Sequence, residues 1–596
     1  MHSAADRRQI YGLAAIWLLF ILLTTTLPTQ GEAHRPEAER SLRKLAADEW
    51  RNATKRAPGS VVPRPRVLVQ ANVHDYLEIE PTKFKLNDRL KEMCIIVTLA
   101  SDRYSRGLLF KDVAPELKDR PELGKLKRVG HLSGVDLVPA GDGEFKCESV
   151  PHMNMDESYK LLIIGTKTLV GSQTIANNSS TTTTSDHGQA RFSARIEANS
   201  SWGLLRGLET LSQLIFNVKA SSQKFGIGLV EIEDEPRFKH RGFMLDTARH
   251  YISIPKIINI LDAMAIDKLN VFHWHLVDDQ SFPLESKTYP QLSKLSSFRP
   301  NMVYKPEDVR LVIIYAASRG IRVVPELDTP GHTYSLRHIT NLLTECFDTT
   351  SNKPNGDFGP VDPTRASSYK IVDKLLHEFA QLFRDEYFHA GGDEVDFECW
   401  QSNERINTWM KEHNMSGNYE ELTNYYMRNL YKLVKNHHKT MIVWQEVFDL
   451  KANLPTDNVI VHVWKNINDK PGYMAELANV VGAGYKALLS SCWYLNYIDY
   501  GRDWLKFYQC DPRGEPIAAN DQHLVLGGEI CMWTEYVDDT NVVSRTWPRA
   551  SAAAERLWSS TDFNNPDEFL PRLEQHRCHL VRRGIQAEPV NGPGYC

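Results

Sequence analysis

Two adjacent carboxylates, Asp393 and Glu394, stand in the segment HAGGDEV, residues 389–395. The preceding residues, 386–388, include two aromatic side chains and are typical of a strand. The Gly-Gly pair inside the segment allows the backbone to leave that strand sharply. Crowding and desolvation disfavour charging two buried carboxylates at once, so their proton affinities differ. One of them can then donate a proton while its neighbour stays anionic.

The same segment also has an interpretation without catalysis. Asp393 could cap the helix that follows the strand, and Glu394 could point into water, because acidic pairs are common in loops. The elements that surround the pair have to decide between the two interpretations.

Apolar segments beyond Pro236 alternate with stretches of helical periodicity, such as the one that places Ile254, Ile257, Ile258 and Leu261 on one face. This alternation predicts an α/β fold in which crossover helices join parallel strands. Eight such strands close a (β/α)8 TIM barrel, whose catalytic residues lie at the carboxyl ends of the strands. The predicted strands span residues 243–245, 269–272, 321–327, 387–389, 441–444, 459–464, 487–490 and 524–526.

Charged and aromatic residues follow nearly every predicted strand. Tryptophan beside carboxylates at one end of a barrel suggests a sugar site, because indole faces pack on the C–H faces of a pyranose. Any single tryptophan could instead be core filler or an interface residue, but four on successive strands favour the sugar site. The residues concerned are Arg249, Asp278, Glu326, His332, Asp393, Glu394, Trp444, Trp464, Trp493, Tyr494, Asn496, Trp533 and Glu535.

His273 and His275 allow a different interpretation of the barrel. Alternate residues of a strand point to one face, and two histidines at that spacing can bind a metal. With His332 or His389 and an acid, they would make a metal-dependent hydrolase. The adjacent acids and the tryptophans argue against a metal, and histidines satisfied inside the core are the simpler interpretation.

The chain before Pro236 has a different pattern. Apolar runs at residues 66–69, 94–97, 159–164 and 192–196 predict strands, and leucines at helical spacing within residues 204–215 predict one helix. Nothing in this region predicts chemistry. The predicted organisation is a signal peptide at 1–33, a flexible lead or propeptide at 34–60, an N-terminal α+β domain at 61–235 and the catalytic TIM barrel at 236–596.

The N-terminus and the composition indicate the compartment. Arg7 and Arg8 precede an apolar run at residues 10–23, which is typical of a secretory signal peptide. A signal anchor is the alternative, although the run is short for a membrane span of ~20 residues. The formal charge of −5, with 42% hydrophobic and 24% charged residues, is ordinary for a soluble protein and gives no indication of nucleic acid.

Glycosylation signals and cysteines agree with the secretory route. The nine cysteines would meet an oxidising compartment there, and their odd number leaves at least one thiol unpaired within the chain. The N-x-S/T acceptor pattern occurs at Asn52, Asn177, Asn178, Asn199 and Asn414.

Taken together, the motifs at the strand ends resemble those of a known family. From about residue 60 onward the chain is similar to the glycoside hydrolase family 20 β-N-acetylhexosaminidases, most closely to the animal lysosomal β-hexosaminidase subunits. The resemblance implies a lysosomal or secreted homodimer that needs no cofactor and no metal. The segments that carry it are HAGGDEV, DTARHY (246–251), HWHLVDDQSFP (273–283), PELDTPGH (325–332), VWQE (443–446) and WPRA (547–550).

The resemblance implies a mechanism that suits neighbouring acids. Two-carboxylate glycosidases usually hold their acids ~5–9 Å apart on opposite sides of the bond, whereas Asp393 and Glu394 are adjacent in sequence. In the implied mechanism the substrate's own 2-acetamido oxygen attacks the anomeric carbon, giving an oxazolinium intermediate and net retention. Glu394 would protonate the leaving oxygen and later deprotonate water. Asp393 would orient the acetamide N–H and stabilise its developing positive charge.

Further roles follow from the same resemblance. Tyr494 would donate a hydrogen bond to the acetamide oxygen. His332, with Asp278 behind it, would tune Glu394, and Glu326 would support them. The residues expected to enclose the acetyl group and the sugar are Trp444, Trp464 and Trp533, and those expected to hold hydroxyls are Arg249 and Glu535.

Asn496 bears on the charge of the substrate. The family has at this position either an acid, which repels a 6-sulfated sugar, or an Asn followed by an Arg that accepts it. Here Tyr497 follows Asn496. The sequence therefore predicts a preference for uncharged terminal N-acetylglucosamine and N-acetylgalactosamine.

The resemblance also implies three disulfides, which join Cys94 with Cys147, Cys346 with Cys399, and Cys578 with Cys596. Cys492 and Cys510, close in one loop sequence, would form a fourth disulfide and leave Cys531 free.

A protein that binds sugar on a disabled barrel is the alternative to an enzyme. The complete set of site residues favours the enzyme.

Overall fold

The structure, a computed structural model, describes residues 61–596 apart from residues 71, 73, 89, 91–93, 111–125, 142–143, 166–191, 219–223, 349, 466–471, 498, 500 and 593–595. The predicted signal peptide and lead lie outside the described residues, as do Asn52, Asn177 and Asn178. No helix in the described part of the chain has the length and the apolar composition that crossing a bilayer requires.

The described residues of the N-terminal part form an α+β arrangement of two sheets and two helices. Its strands are β1 Val67–Gln70, β2 Asp75–Ile79, β3 Lys85–Asp88, β4 Lys127–His131, β5 Gly134–Pro139, β6 Tyr159–Gly165, β7 Phe192–Ala198, β8 Phe216–Asn217, β9 Phe225–Gly228 and β10 Val230–Asp234. Its helices are α1 Ile95–Arg103, which a π-helical turn, Tyr104–Leu108, extends, and α2 Ser201–Leu214. One sheet has the order β1-β10-β6-β7-β5-β3 and the other β4-β2-β9-β8.

Helix α2 is the helix that the leucine spacing predicted. It begins after Ser200, whose Oγ accepts hydrogen bonds from the backbone N–H groups of Trp202 and Gly203 at 3.1 and 3.2 Å. Leu204 and Leu208 are fully buried in the apolar core that this part of the chain shares with its sheet. Burying each such side chain stabilises the fold by about 1.5–3 kcal/mol.

The strand predicted at residues 94–97 is wrong, because these residues begin helix α1. Ile96 and Val97 are buried in the core, and the helix packs beside α2. A short run of β-branched residues has the same composition in a buried strand and in a buried helix, so periodicity could not separate the two. The N-terminal part therefore contains a second helix that the sequence did not indicate.

The second part of the chain is a closed barrel of eight parallel strands, and all eight predicted strands are confirmed. The barrel strands, in order around the barrel, are β11 His240–Asp246, β12 Val271–His275, β13 Arg322–Glu326, β16 Tyr387–His389, β17 Thr440–Trp444, β18 Val459–Val463, β19 Lys486–Leu489 and β20 Val525–Met532. A hairpin of β14 Leu343–Asp348 and β15 Lys353–Val361 lies between β13 and β16 in sequence.

Helices surround this barrel, and most of them share one large apolar core with it. They are α3 Ile254–Ile266, α4 Gln291–Ser296, α5 Pro306–Ala317, α6 Ala366–Leu382, α7 Glu398–Ser402, α8 Glu404–Glu412, α9 Tyr419–Asn436, α10 Glu446–Asp449, α11 Tyr473–Gly482, α12 Trp504–Gln509, α13 Val542–Thr546, α14 Arg549–Trp558 and α15 Pro566–Arg582, with 3-10 helices at Tyr334–His338 and Gln522–Leu524.

The interior of the barrel changes from apolar to polar along the strands. One inner layer includes Val271, Val324, Ile442, Ile460 and Leu488. Because alternate residues of a strand face the same side, the next inward positions toward the carboxyl ends differ by two in number. Those positions hold His273, Glu326, Trp444 and His462, all buried. The polar layer lies directly beneath the strand ends.

The structure contains disulfides between all four expected pairs, with Cα atoms 5.4, 4.7, 6.3 and 4.9 Å apart for Cys94–Cys147, Cys346–Cys399, Cys492–Cys510 and Cys578–Cys596. Cys531 is free and buried.

The two described acceptor asparagines differ in exposure. Asn414 is exposed between α8 and α9, whereas Asn199 is half-buried and the serine of its acceptor sequence, Ser201, is buried at the start of α2. Glycosylation at either site stays a prediction.

Candidate active site

The backbone after β16 turns as the Gly-Gly pair predicted. Gly391 and Gly392 have φ values of 67° and 104°, a region that favours glycine. A Cβ on Gly391 would stand 1.5 Å from Asp328 Oδ1, and the N–H of Gly392 donates to that same oxygen at 2.8 Å. The turn is therefore fitted around the carboxylate of Asp328, which follows β13.

Asp393 emerges from this turn into the interior of the site. Its side chain is buried, and its Oδ1 accepts no hydrogen bond from an N–H or hydroxyl group of the described residues. The next helix, α7, has Phe397 at its cap, so the interpretation of Asp393 as a helix cap is wrong. A buried carboxylate oxygen without a partner is costly unless a ligand supplies the donor.

Asp328 and Asp393 form a pair that shares protons. Burial and the negative charge of Asp393 raise the pKa of Asp328 well above its usual value. Burial also raises the pKa of Asp393, but the imidazolium of His332 and a hydrogen bond from Asp328 oppose that rise. Asp328 therefore keeps the proton and donates to Asp393, which leaves Asp393 the anion of the pair.

Glu394 has φ 46° and a side chain that is 59% exposed, so it projects toward solvent. Its Oε2 lies 3.6 Å from His332 Nε2, and Asp393 Oδ2 lies 3.7 Å from the same nitrogen. Burial opposes a charge on His332, but Asp393, Asp278 and Glu394 raise its pKa well above the usual value. The resulting imidazolium lowers the pKa of Glu394.

Asp278 joins His332 to Arg249. Its Oδ1 accepts from His332 Nδ1 at 3.2 Å, and its Oδ2 lies 2.9 Å from the Arg249 guanidinium. Burial would lower the pKa of Arg249, but Asp246 and Asp278 raise it, so this side chain stays charged. The Arg249 guanidinium also stands over the ring of Trp533, 4.8 Å from its centre.

Four aromatic side chains form walls around the carboxylates. Trp464 and Tyr494 are stacked with ring centres 6.3 Å apart, and Tyr494 lies 6.5 Å from Trp533. Trp533 in turn lies 6.0 Å from Trp444. Burial raises the pKa of Tyr494 well above its usual value, so its phenol keeps a proton to donate. The expected acetyl and sugar residues therefore lie together.

Two of these indoles donate their N–H groups to carboxylates. Trp444 Nε1–H donates to Glu326 Oε1 at 2.8 Å, and Trp464 Nε1–H donates to Glu446 Oε2 at 2.7 Å. Burial and the charge of Asp393 raise the pKa of Glu446 to about 8. Because their N–H groups are occupied, these indoles offer only their ring faces to a ligand.

Asn496 and Glu535 lie at the edge of this arrangement. Asn496 is half-buried, and its Oδ1 is buried without a hydrogen bond from the described residues. Glu535 is exposed, and its charge contributes to raising the pKa of Arg249. Both are compatible with the outer positions expected for them.

Some residues with a clear place in the site had no predicted role. Asp328 shares protons with Asp393, and Glu446 holds Trp464. His275 lies between two carboxylates, although the sequence favoured a histidine merely satisfied in the core. All three stand at or just beyond a predicted strand end, which was the available signal; their partners lie on other strands and could not be inferred.

Residues of ligand type approach one another within 4.8 Å in three groups of the described chain: His273, His389 and His462; Asp278, Asp279 and His332; Asp328, His332 and Asp393. The second and third share His332 and belong to the cluster above. In the first, His462 Nδ1 lies 3.4 Å from His389 Nε2, at hydrogen-bond distance, and His273 contacts Glu529 at 2.7 Å.

With this geometry in view, comparison with known proteins assigns the family. A family model described as "Glycosyl hydrolase family 20, catalytic domain" matches residues 238–561, more than half of the chain. The chain belongs to glycosyl hydrolase family 20. A second model, "beta-acetyl hexosaminidase like", matches residues 61–214. As a family 20 glycoside hydrolase of the β-N-acetylhexosaminidase type, the chain has its acids at the barrel end where family and fold both place catalysis.

Full-length relatives support the membership in family 20. The chain is 39% identical to the β-hexosaminidase subunit beta of Rattus norvegicus, over 90% of this chain and 92% of that protein. It is 41% identical to the subunit alpha of Bos taurus, over 86% and 90% respectively. A chitobiase structure from Flavobacterium johnsoniae is 29% identical with a TM-score of 0.68, over 88% of this chain and 73% of that one.

Proposed function

We propose that the chain is a retaining exo-β-N-acetylhexosaminidase that removes terminal β-linked N-acetylglucosamine and N-acetylgalactosamine by substrate-assisted catalysis. The observation that carries the proposal is the buried Oδ1 of Asp393, which receives no N–H or hydroxyl donor from the described residues. An acetamide N–H would supply that donor. The anion would then hold the acetamide in place while its oxygen attacks the anomeric carbon.

Asp393 and Glu394 divide the work because their surroundings differ. Asp393 is buried and paired with Asp328, so it is poorly placed to exchange protons with solvent. Glu394 is largely exposed and would meet the leaving oxygen. In the free protein His332 lowers the pKa of Glu394. A bound sugar would exclude water from this carboxyl, which raises its pKa and favours the acid form that protonation of the leaving group requires.

Varying the N-acyl group of the substrate tests this proposal most directly. The 4-nitrophenyl β-glucosaminides carrying acetyl, fluoroacetyl, difluoroacetyl and trifluoroacetyl groups have progressively weaker acyl oxygens. If that oxygen attacks, kcat should fall steadily along the series, and NMR of the first product should show retained β configuration. An inverted product, a rate independent of the acyl group, or a sugar trapped covalently on the protein would refute the proposal.

Two isosteric substitutions distinguish the roles of Asp393 and Glu394. Asp393→Asn should reduce kcat by about 10²–10³ on every substrate, because it removes a charge that acts in the transition state. Glu394→Gln should lower kcat most on substrates with poor leaving groups. It should lower kcat little when the leaving group is 2,4-dinitrophenolate, which leaves without protonation. Near-normal turnover by either variant on all substrates would reject the role assigned to that residue.

Two other functions predict different outcomes in the same assays. A metal-dependent hydrolase using the buried histidines would lose activity after dialysis against a strong chelator, whereas the proposed mechanism predicts no loss. A sugar-binding protein would bind N-acetylglucosamine but show no turnover at pH 4–8. We expect chelator-resistant turnover that is highest at acidic pH, where Glu394 is protonated.

We also propose that the protein is a homodimer that enters the secretory pathway and acts in the lysosome or outside the cell. The secretory route is supported by the charge pattern of residues 1–33 together with the disulfides, which need an oxidising compartment. The dimer is what the family resemblance implies. Light scattering of the secreted protein should give twice the chain mass. Mass spectrometry of its N-terminus should begin beyond the apolar run.

A further inference from the structure

His275, the last residue of β12, lies between two carboxylates inside the barrel. Its Nδ1 is 2.5 Å from Glu326 Oε2, and its Nε2 is 2.8 Å from Asp278 Oδ2. The ring is fully buried and makes a T-shaped contact with the ring of Trp533, with ring centres 4.9 Å apart.

Both ring nitrogens of His275 must donate. Glu326 already accepts the N–H of Trp444, and Asp278 already accepts the backbone N–H of Asp279 at 2.6 Å and pairs with Arg249. These donors and the Arg249 charge favour the ionised form of both carboxylates, so their oxygens accept hydrogen bonds from the imidazole. His275 is therefore an imidazolium. Burial alone would lower its pKa, but Glu326 and Asp278 raise it well above the usual value.

The two carboxylates that hold His275 reach opposite sides of the site. Asp278 contacts His332, which stands between Asp393 and Glu394. Glu326 holds the indole of Trp444, a wall of the expected sugar pocket. His275 is thus linked through Asp278 and His332 to Glu394, and through Glu326 to Trp444.

We infer that His275 is a positioning residue: its fixed positive charge holds Asp278 and Glu326 in place and sets the acidity of Asp393 and Glu394 through His332. The inference rests on the proposed function and deepens it. It assigns to a fully buried histidine a role that neither the metal interpretation nor the core interpretation gave it.

The charged groups around His275 come from each neighbouring element. Glu326 lies on β13, where its Oε2 is also 3.1 Å from His273 Nε2 and its Oε1 is 3.0 Å from His389 Nδ1. Asp278 follows His275 in the loop after β12. After β11, Arg249 faces Asp278, and Asp246 receives the backbone N–H groups of Ala248 and Arg249 at 2.9 and 3.1 Å.

The acid on β20 is engaged elsewhere. Glu529 pairs with His240 at 2.6 Å and with His273 at 2.7 Å. Glu326 and Asp278 are therefore the carboxylates that bind His275 among the described residues.

His462, on β18, provides a matched control. It is equally buried in the same polar layer and stacks on Trp444 with ring centres 4.5 Å apart. Its Nδ1 lies 3.4 Å from His389 Nε2, no carboxylate of the described residues contacts its ring nitrogens, and burial lowers its pKa well below the usual value. His462 is neutral, so its replacement changes packing but not charge.

The test compares pH profiles of kcat/KM on 4-nitrophenyl N-acetyl-β-glucosaminide for the wild type, His275→Gln and His462→Gln. Removing a buried positive charge favours the protonated form of every nearby acid. His275→Gln should therefore move both limbs of the profile to higher pH, by about one unit. It should also lower kcat about 10–100-fold on substrates with poor leaving groups. His462→Gln should leave both limbs in place.

Glu326→Gln gives a second test in the opposite direction. This variant removes a buried negative charge beside the same imidazolium, so both limbs should move to lower pH. It also serves if His275→Gln fails to fold, as judged by its melting temperature. Profiles of the histidine and glutamate variants that superimpose on the wild type would overturn the inference while leaving the proposed function intact. An inactive wild type would instead overturn the proposed function, and the inference with it.

Discussion

At the scale of single residues, the expected sugar site is marked by polar atoms that lack partners within the described chain. Asp393 Oδ1 and Asn496 Oδ1 are buried and receive no hydrogen bond from an N–H or hydroxyl group of the described residues, and His332 Nε2 is buried without an acceptor at hydrogen-bond distance. Such atoms are expensive in a folded protein unless something else satisfies them. A hydroxylated sugar with an acetamide group could supply donors to the two carbonyl-type oxygens.

Substrate charge can be predicted from residues at this scale. Asn496 is neutral and Tyr497 is 48% exposed and stacked on Tyr494, with ring centres 5.8 Å apart. No positive charge is therefore supplied at these two positions for a 6-sulfate. We expect the 6-sulfated glucosaminide to be cleaved at a small fraction of the rate of the unsulfated one.

Two substitutions should move that ratio in opposite directions. Tyr497→Arg should increase the relative rate on the sulfated substrate, and Asn496→Asp should lower it further, by repulsion between the acid and the sulfate. The measurement is the ratio of kcat/KM for the two substrates at low and high salt. A ratio that neither variant changes would show that specificity is decided elsewhere.

At the scale of elements, the turn after β16 carries the strongest dependence on one residue. Gly391→Ala puts a methyl group where Asp328 Oδ1 now lies, 1.5 Å away, and also forces φ 67° on an alanine. The conformational strain alone costs about 1 kcal/mol. Displacing Asp328 should in addition disturb Asp393, so we expect kcat to fall by at least about 100-fold.

Gly417→Ala is the control for that substitution. Gly417 has φ 71°, and nothing lies within 4 Å of its added Cβ. It should lose a similar small amount of stability by denaturant unfolding and keep full activity. Equal activity losses in the two variants would mean that backbone strain, and not contact with Asp328, matters at Gly391.

Two disulfides with the same sequence separation of 18 residues allow a second comparison of elements. In a chain-entropy treatment, replacing both cysteines of either disulfide by serine lowers the free energy of unfolding of the protein by about 3 kcal/mol. Only Cys492–Cys510 closes a loop that contains Tyr494 and Asn496. We expect its removal to raise KM for the glucosaminide, whereas removal of Cys578–Cys596 lowers the melting temperature alone.

At the scale of the whole molecule, a buried ionic cluster joins the N-terminal part to the end of the barrel. Glu209 of α2 pairs with Arg583 at 2.8 Å, and His579 of α15 lies 3.6 Å from the same carboxylate. Because Arg583 already balances Glu209, burial and the Arg583 charge lower the pKa of His579 to about 3.

The sign of the resulting pH dependence follows from linkage. Between pH 6.5 and 3 the unfolded chain binds a proton at His579 and the folded chain does not, so folding weakens as pH falls. Each pH unit in this window removes about 1.4 kcal/mol. His579→Gln should therefore have a melting temperature that depends less on pH between 7 and 4 than the wild type. Parallel curves would show that His579 is charged in the fold.

Much of the architecture could be predicted because it depends on patterns within short stretches of the sequence. Strand and helix periods, with the glycines of HAGGDEV, placed all eight barrel strands and the carboxylates that follow them. The error at residues 94–97 arose because a run of four apolar residues is too short to have a period. The second helix there is stabilised by packing against α2, which is a contact across 100 residues of sequence.

The sequence by itself determined the residue types at each strand end, the parallel order that gathers those ends and the family resemblance. The tertiary structure decided which side chains share protons: Asp328 with Asp393, and His275 between Glu326 and Asp278. The physical reason is that burial and the position of neighbouring charges set a proton's location. Both depend on the register between strands, which residue order does not state.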